Sequence, residues 1–407
     1  MTRVGPPTVV LGVSGGIAAY KTVELLRLFT ESGHDVTVVP TQSALSFVGA
    51  ATWAALSGKP VGASVWDEVH AVPHVRIGQS ADLVVVAPAT ADLLAKAAHG
   101  LADDLLTSTL LTARCPVVFA PAMHTEMWEH PATQANVATL RARGVIVLEP
   151  AVGRLTGADS GKGRLPEPTE IFATCARVLA GRGTPDLAGR RVVISAGGTR
   201  EHLDPVRFLG NRSSGKQGYA LARTAAARGA DVVLVAAATA LPDPAGVKVV
   251  RVTTALELRD AVRVEALSAE VVVMAAAVAD YRPVERLATK RKKTDTLTIE
   301  LVQNPDVLAE LSAARPPGQV VVGFAAETGD AGGTVLEHGR SKLARKGCDL
   351  LVVNEVGEAG HPTGFEGESN AAVVLGTDGS ATQIPLGSKD SVADAVWDLV
   401  AARLPEA

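Results

Sequence analysis

TVVLGVSGG (Thr8–Gly16) decides the fold. Six mostly branched apolar residues stop at Ser14-Gly15-Gly16, an amphipathic stretch runs on through Leu28, and a second apolar run, DVTVV, covers Asp35–Val39. Strand, glycine-rich turn, helix and strand in that order open a doubly wound α/β sheet. The same opening recurs far downstream. RVVIS (Arg191–Ser195) runs into Ala196-Gly197-Gly198-Thr199, a helix is expected near Gly218–Arg228, and DVVLV (Asp231–Val235) follows. Two such openings predict two domains, over 1–180 and 191–407. The Gly- and Pro-containing stretch from Ala180 to Gly189 marks a linker over 181–190.

Further apolar runs extend both sheets. The first half adds Leu83–Ala87, Pro116–Ala120 and Val145–Leu148; the second adds Val249–Val252, Val271–Met274, Val320–Phe324 and Leu350–Val353. Helical stretches separate them, as parallel pairing requires, because each crossover needs its helix. The tail differs. Ala371–Leu375 and Ala381–Ile384 predict a β-hairpin across Gly376–Gly379, with a C-terminal helix from about Ser391. TLTIELV (297–302 with Thr296) alternates as a strand outside the main sheet would.

Composition narrows the class. The chain has 407 residues, enough for two or three cores, and is 47% hydrophobic but only 3% aromatic. Val, Leu and Ala must therefore build the interior, which suits buried parallel strands under Ala-rich helices. A net charge of −4 gives no electrostatic footprint for nucleic acid, so any anion site is local. Three widely spaced cysteines exclude a disulfide framework and point to a reducing cytoplasm. The N-terminus shows no signal-peptide core, and no apolar stretch reaches the roughly 18 residues of a membrane span.

Chemistry concentrates in a few segments. Gly12–Lys21 (GVSGGIAAYK) lacks the spacing of the dinucleotide fingerprint, yet its turn offers N–H groups to a phosphate at a helix N-terminus. APATADLLAK (Ala87–Lys96) lies at the C-terminal end of a predicted strand, where open α/β sheets place ligands. RFLGNRSSGKQGYALA (Arg207–Ala222) reads by itself as a nucleotide cradle, a substrate clamp or a basic loop capping a helix.

GVSGGIAAYK, His74, APATADLLAK, ADDLLT (Ala102–Thr107) and PAMHTEMW (Pro121–Trp128), in that order, resemble the flavin-dependent cysteine decarboxylases. The likeness is to the phosphopantothenoylcysteine decarboxylase half of the bifunctional proteins of bacterial coenzyme A synthesis, and it covers nearly all of 8–180. It implies a flavodoxin-like domain that binds FMN through Ser14, Gly15, Ser43, Pro88, Ala89, Thr90 and Ser108. In that family the flavin oxidises the substrate thiol, carbon dioxide leaves, and the electrons return to the product. His74 matches the acid/base residue, and imidazole titrates in the range such a role needs. Met123 and His124 fall where the substrate carboxylate is held, with His124 in place of the family's Asn. Gly157 stands where the family carries a Cys in the flap over the site.

The second half resembles the phosphopantothenate–cysteine ligases in five segments. They are Ala196–Gly218, AAAVADYR (Ala275–Arg282), KRKK (Lys290–Lys293), NPD (Asn304–Asp306) and GFAAET (Gly323–Thr328). The resemblance implies a second Rossmann-like domain with an added β-hairpin, which activates the acid with CTP and Mg2+. Asn211 matches the residue set against the acyl-cytidylate, and Arg207 contacts the substrate. Ala276, Ala277, Val278, Asp280, Lys290, Asn304, Asp306, Phe324, Lys342 and Lys346 match the nucleotide site; no metal ligand is assigned. The expected reaction joins L-cysteine to 4′-phosphopantothenate and then decarboxylates the product to 4′-phosphopantetheine. The expected assembly is a homo-oligomer as large as a dodecamer, with no nucleic-acid or membrane partner. A regulatory, non-enzymatic role is disfavoured, because His74 is present and a long acidic tail is not.

Overall fold

The computed structural model describes residues 5–62, 72–155, 159–181, 185–290, 292, 298–327, 334–355, 367 and 369–405. The chain forms two compact units, Met1–Thr184 and Pro185–Ala407. In the first, β1 (Thr8–Val13), β2 (Asp35–Pro40), β3 (Leu83–Ala89), β4 (Val117–Pro121) and β5 (Ile146–Val147) form one parallel sheet in the order β2-β1-β3-β4-β5. This is the flavodoxin-like order, with the switch point between β1 and β3. Alternate residues feed two cores. Val9, Leu11 and Val13 meet Leu25, Phe29 and Ile171 on one face. Val10, Val84 and Val86 meet Leu94 and Leu106 on the other. Burial on both faces is why these strands read as unbroken apolar runs. A hairpin of β6 (Ala151–Arg154) and β7 (Ser160–Arg164) follows the sheet. The sequence did not announce it, since SGKGR has no apolar alternation.

The second unit contains β8 (Arg191–Gly197), β9 (Arg200–His202), β10 (Phe208–Gly210), β11 (Asp231–Ala237), β12 (Val247–Val252), β13 (Val271–Met274), β14 (Tyr281–Pro283), β15 (Leu301–Gln303), β16 (Val320–Glu327), β17 (Leu350–Glu355), β18 (Ser369–Gly376) and β19 (Ala381–Ser388). Its main sheet runs β12-β11-β8-β13-β16-β17-β18-β19, parallel as far as β17 and antiparallel beyond. The six parallel strands have the dinucleotide-fold order, which puts a switch point between β8 and β13. The hairpin β18–β19 is longer than its apolar residues suggest and extends the sheet. The C-terminal helix begins at Lys389, capped by Ser388. Two small antiparallel ribbons, β9–β10 and β14–β15, stand outside the main sheet. The strand expected over 296–302 is therefore realised at Leu301–Gln303, while 293–297 lie outside the described residues.

Helices Lys216–Ala227 and Lys389–Ala401 cover one face of this sheet, packing Leu221 and Trp397 on Ile194, Val322 and Val352. Helices Ala255–Ala266, Val307–Ala314 and Val335–Lys346 cover the other. Buried Arg228 ties the first face together, binding Asp186 and donating to Asp398 at 2.9 Å and to the Asp394 carbonyl at 3.0 Å. Among the described residues, no helix is long and apolar enough to cross a membrane.

Candidate active sites

In the first unit, three segments meet at the C-terminal ends of β1, β2 and β3. Ser14 is buried, and its hydroxyl donates to the Pro88 carbonyl at 2.7 Å while accepting from Thr90 N–H at 3.0 Å. Thr90 in turn caps the helix Ala91–His99. A Cβ on Gly15 would lie 2.3 Å from Ser43 Cβ, so the turn passes directly against Ser43 and only glycine fits. Among the described residues, no main-chain carbonyl accepts from the N–H groups of Gly15 through Ala18. Free donors ahead of the helix Ala19–Glu31 make this turn an anion cradle. Six expected cofactor residues (Ser14, Gly15, Ser43, Pro88, Ala89 and Thr90) thus belong to one locus.

PAMH joins the same locus, because Ala122 N–H donates to the Ala89 carbonyl at 3.1 Å. Met123 N–H donates to Gly163 of β7 at 2.9 Å, and a Cβ on Gly163 would lie 2.2 Å from the Met123 carbonyl. The hairpin β6–β7 therefore packs on the segment that holds Met123 and His124. His124 is half-buried and sits at the start of the helix Thr125–Glu129. Lys162 pins the hairpin by meeting Glu149 at 2.6 Å and lying over the Trp128 ring at 5.9 Å. Burial pushes the Glu149 carboxyl up, but Lys162 and Arg141 outweigh it and hold the group below the usual range. Gly157 lies outside the described residues.

His74 sits in the first turn of the helix Pro73–Ser80, which packs on the helix Leu105–Thr112 that carries Ser108. Thr112 Oγ1 donates to the His74 carbonyl at 2.8 Å, and a Cβ on Gly78 would lie 2.3 Å from the same Oγ1. Glycine at 78 lets the two helices approach this closely. His74 Nδ1 is buried and has no hydrogen-bond partner among the described residues. The two helices meet at Gly78 and Thr112, one turn beyond Ser108, but no side-chain hydrogen bond links His74 to the Ser14–Pro88–Thr90 network among the described residues. Of the cysteines, Cys175 is buried and its thiol is pushed far up, and burial lifts Cys348 to about 11. Neither is a thiolate near neutral pH.

In the second unit, RFLGNRSSGKQG folds back along the turn that ends β8. The contacts are paired through glycines. A Cβ on Gly198 would lie 2.8 Å from the Asn211 carbonyl, one on Gly210 2.7 Å from the Thr199 carbonyl, and one on Gly218 2.4 Å from Ala196 Cβ. AAAVAD is stitched to the same turn. Ala277 N–H donates to Gly197 at 2.8 Å, Ala276 N–H to Ser195 Oγ at 3.2 Å, and Ala279 N–H to Thr199 Oγ1 at 2.9 Å. Asn211 closes the arrangement by donating from Nδ2 to the Val278 carbonyl at 3.0 Å. Asn304 donates from Nδ2 to Ala279 O at 2.8 Å, so its side chain supports the AAAVAD segment. Asp280 is exposed, and its carbonyl accepts from Asn304 N–H at 2.8 Å. Arg207 is bound to buried Asp204 by Nε at 2.9 Å and Nη2 at 2.6 Å.

Loop and strand ends enclose a cavity of about 140 Å³, whose walls include Ser213, Lys216, Ala276, Ala277 and Phe324. Its remaining polar wall comes from Ser214 and Gln217 of the same segment and from Asn354, Asn370 and Lys389, which no motif singled out. Asp306 and Lys346 pair with one another on the helices of the opposite sheet face. Burial raises the Asp306 carboxyl, while Lys346 and the Ala309 N–H more than reverse this. Lys342 lies one turn earlier on the same helix as Lys346. Lys290 is exposed, and Lys293 lies outside the described residues. Among the described residues, no group of three His, Cys, Asp or Glu side chains could hold a metal ion.

These two loci coincide with two known families. Residues 2–180 match the flavoprotein family, and 187–404 match the DNA/pantothenate metabolism flavoprotein C-terminal domain. The chain is 61% identical over 406 residues to the coenzyme A biosynthesis bifunctional protein CoaBC of Mycobacterium bovis, covering 97% of this chain and 96% of that one. It is 61% identical over 407 residues to CoaBC of Mycolicibacterium smegmatis, covering 97% of each. The CoaBC of Vibrio cholerae is 45% identical over 397 residues, covering 96% of this chain and 97% of its own. The chain belongs to the bifunctional coenzyme A biosynthesis proteins. It is an enzyme with a flavoprotein domain and a ligase domain on one polypeptide. Gln217 lies inside a ligase segment but has no expected role there, and the amides at 354 and 370 give no signal beyond polar residues in or beside buried strands.

Proposed function

We propose that the C-terminal half joins L-cysteine to 4′-phosphopantothenate with CTP, and that the N-terminal half decarboxylates the product to 4′-phosphopantetheine. The decarboxylase half is assigned to 1–180, the linker to 181–190 and the ligase half to 191–407. The last linker residues anchor in the ligase half, where Leu187 is buried and Asp186 binds Arg228. One observation carries the ligase reading: Asn211 and Thr199 of the first ligase segment and Val278 and Ala279 of the second, far apart in sequence, converge on one turn.

In that half the acid binds beside Asn211, whose amide is held by Val278 O. Arg207, fixed by Asp204, supplies positive charge to the substrate. CTP enters as its Mg2+ complex and meets Ala276, Ala277, Val278 and Phe324. Asp280, Asn304, Asp306, Lys290, Lys342 and Lys346 complete its surroundings. Cations aimed at a departing diphosphate stabilise the charge that develops there. In the other half the turn at Ser14 and Gly15 fits a phosphate, with Ser43, Pro88, Ala89, Thr90 and Ser108 holding the rest of FMN. FMN, when bound, supplies reversible two-electron oxidation of the substrate thiol, which turns the neighbouring carboxylate into a leaving group. Met123 and His124 orient that carboxylate, and His74 moves the proton. The hairpin β6–β7 excludes water from above. A cytoplasmic homo-oligomer is the expected form; exposed Val206, Phe208, Tyr281 and Val284 on the ribbons of the second unit support self-association.

Purified protein is expected to bind FMN with a flavin absorbance spectrum, and to release diphosphate from CTP only when acid and cysteine are both present. Protein that cannot be reconstituted with FMN contradicts the first assignment, and diphosphate release without either co-substrate contradicts the second.

A further inference from the structure

The cavity of the second unit contains a chain of side-chain amides that the reaction scheme above leaves unused. Gln217 donates from Nε2 to the Lys389 carbonyl at 3.1 Å. Asn370 donates from Nδ2 to Gln217 Oε1 at 2.9 Å, and Asn354 from Nδ2 to Asn370 Oδ1 at 2.5 Å. Asn370 Oδ1 also accepts from Ala371 N–H at 3.0 Å, and Asn354 Nδ2 reaches the Ala371 carbonyl at 3.3 Å. The side chains come from distant segments, Gln217 and Asn370 being 153 positions apart in sequence.

Backbone groups fix the direction of every amide. The Lys389 carbonyl only accepts, so Gln217 must turn its nitrogen there and its oxygen towards Asn370. Asn370 must then turn nitrogen to Gln217 and oxygen to the Ala371 N–H, which only donates. Asn354 is left facing an oxygen of Asn370 and the Ala371 carbonyl, and both demand its nitrogen. An amide in water flips between its two orientations; this one cannot without setting oxygen against oxygen. Asn370 is 5% exposed, and a buried chain of this kind holds its geometry strongly because a broken link leaves a desolvated group unpaired. The outcome is one unused acceptor. Asn354 Oδ1 has no hydrogen-bond partner among the described residues, and Asn354 lines the cavity.

We infer that Asn354 is a specificity-determining residue of the ligase, its Oδ1 accepting a hydrogen bond from a hydroxyl or amide N–H of the acid substrate, and that Asn370 is the positioning residue behind it. The inference rests on the ligase reading above. The acid is favoured over the nucleotide by location. The chain starts at Gln217, in the first turn of the helix that follows the loop carrying Asn211, and it lines the cavity to which the nucleotide residues Ala276 and Ala277 also contribute, whereas the Asp306–Lys346 pair lies on the helices of the opposite sheet face. A fixed acceptor also rejects analogues that lack the donor, because its own desolvation then goes uncompensated.

Steady-state kinetics on the full-length enzyme test this, with CTP and 4′-phosphopantothenate varied separately. Asn354→Leu is expected to raise KM for the acid about tenfold, with KM for CTP unchanged. Asn370→Asp keeps the acceptor for Asn354 and Ala371 N–H but sets a charged carboxylate oxygen against Gln217 Oε1, and is expected to raise the same KM. Circular dichroism establishes that each variant is folded; if the leucine variant is not, Asn354→Ala carries the same test. An unchanged acid KM, or a rise in the KM for CTP instead, overturns the inference. If the wild-type enzyme itself forms no product from acid, cysteine and CTP, the underlying ligase reading fails instead, and the two failures are told apart by that control.

Discussion

Asn211 shows how much one hydrogen bond decides. Its Nδ2 points at the Val278 carbonyl 3.0 Å away, so the residue must be a donor at that atom. Asn211→Asp sets a carboxylate oxygen against a carbonyl oxygen, and ligation is expected to fall about 100-fold or more, while decarboxylation of supplied phosphopantothenoylcysteine continues. His74→Asn is expected to do the reverse, with carbon dioxide release reduced at least about 100-fold and ligation intact. Both are read by mass detection of the two products. At this scale the sequence was informative wherever a residue sat in a motif: Ser14, Pro88 and Thr90 could be named together before their 2.7 and 3.0 Å contacts were known. Asn354 and Asn370 could not, and Gln217, although inside a motif, could not be linked to them. Their chain is assembled across the fold, and an amide beside a buried strand has no periodicity to reveal it. His124 and Gly157, the two departures from the resemblance, differ in what the structure adds. His124 has a place beside the hairpin, whereas Gly157 lies outside the described residues.

Among the elements, long parallel strands were the legible ones, since burial on both faces leaves apolar runs that nothing else explains. Strands of three residues, as in β9–β10 and β14–β15, are too short for alternation to register. The hairpin β6–β7 was missed for a different reason. Besides its main-chain contact with Met123, it is tied by side-chain charge, with Glu149 taking Arg141 at 2.7 Å and Lys162 at 2.6 Å. Its attachment should therefore depend on pH. The folded-state pKa of Glu149 is lowered, so its contribution is present above the ordinary carboxylate range and is lost as pH falls through the folded value. Glu149→Gln is expected to speed amide hydrogen exchange over Ser160–Arg164 about fivefold at pH 7, the equivalent of about 1 kcal/mol. The difference from wild type should shrink once pH falls below the ordinary carboxylate range and vanish only below the lowered folded-state value. A difference independent of pH would mean that charge does not hold the hairpin.

For the whole molecule, two sheets with different strand orders sit on one chain, each with a switch point and a set of chemistry-bearing residues gathered there. That doubling was readable from two recurrences of strand and glycine turn. The added antiparallel hairpin, β18–β19, was readable too; what was not readable was that it joins the edge of the main sheet and carries Asn370 into the ligase cavity. The central claim is that consecutive chemistry occurs on this one polypeptide. It is tested most directly by incubating the FMN-loaded enzyme with 4′-phosphopantothenate, L-cysteine, CTP and Mg2+ while following products by mass. The account predicts phosphopantothenoylcysteine first and 4′-phosphopantetheine after it, both absent when CTP is withheld. Formation of neither product, or of the ligation product alone from an enzyme that carries its flavin, would contradict it.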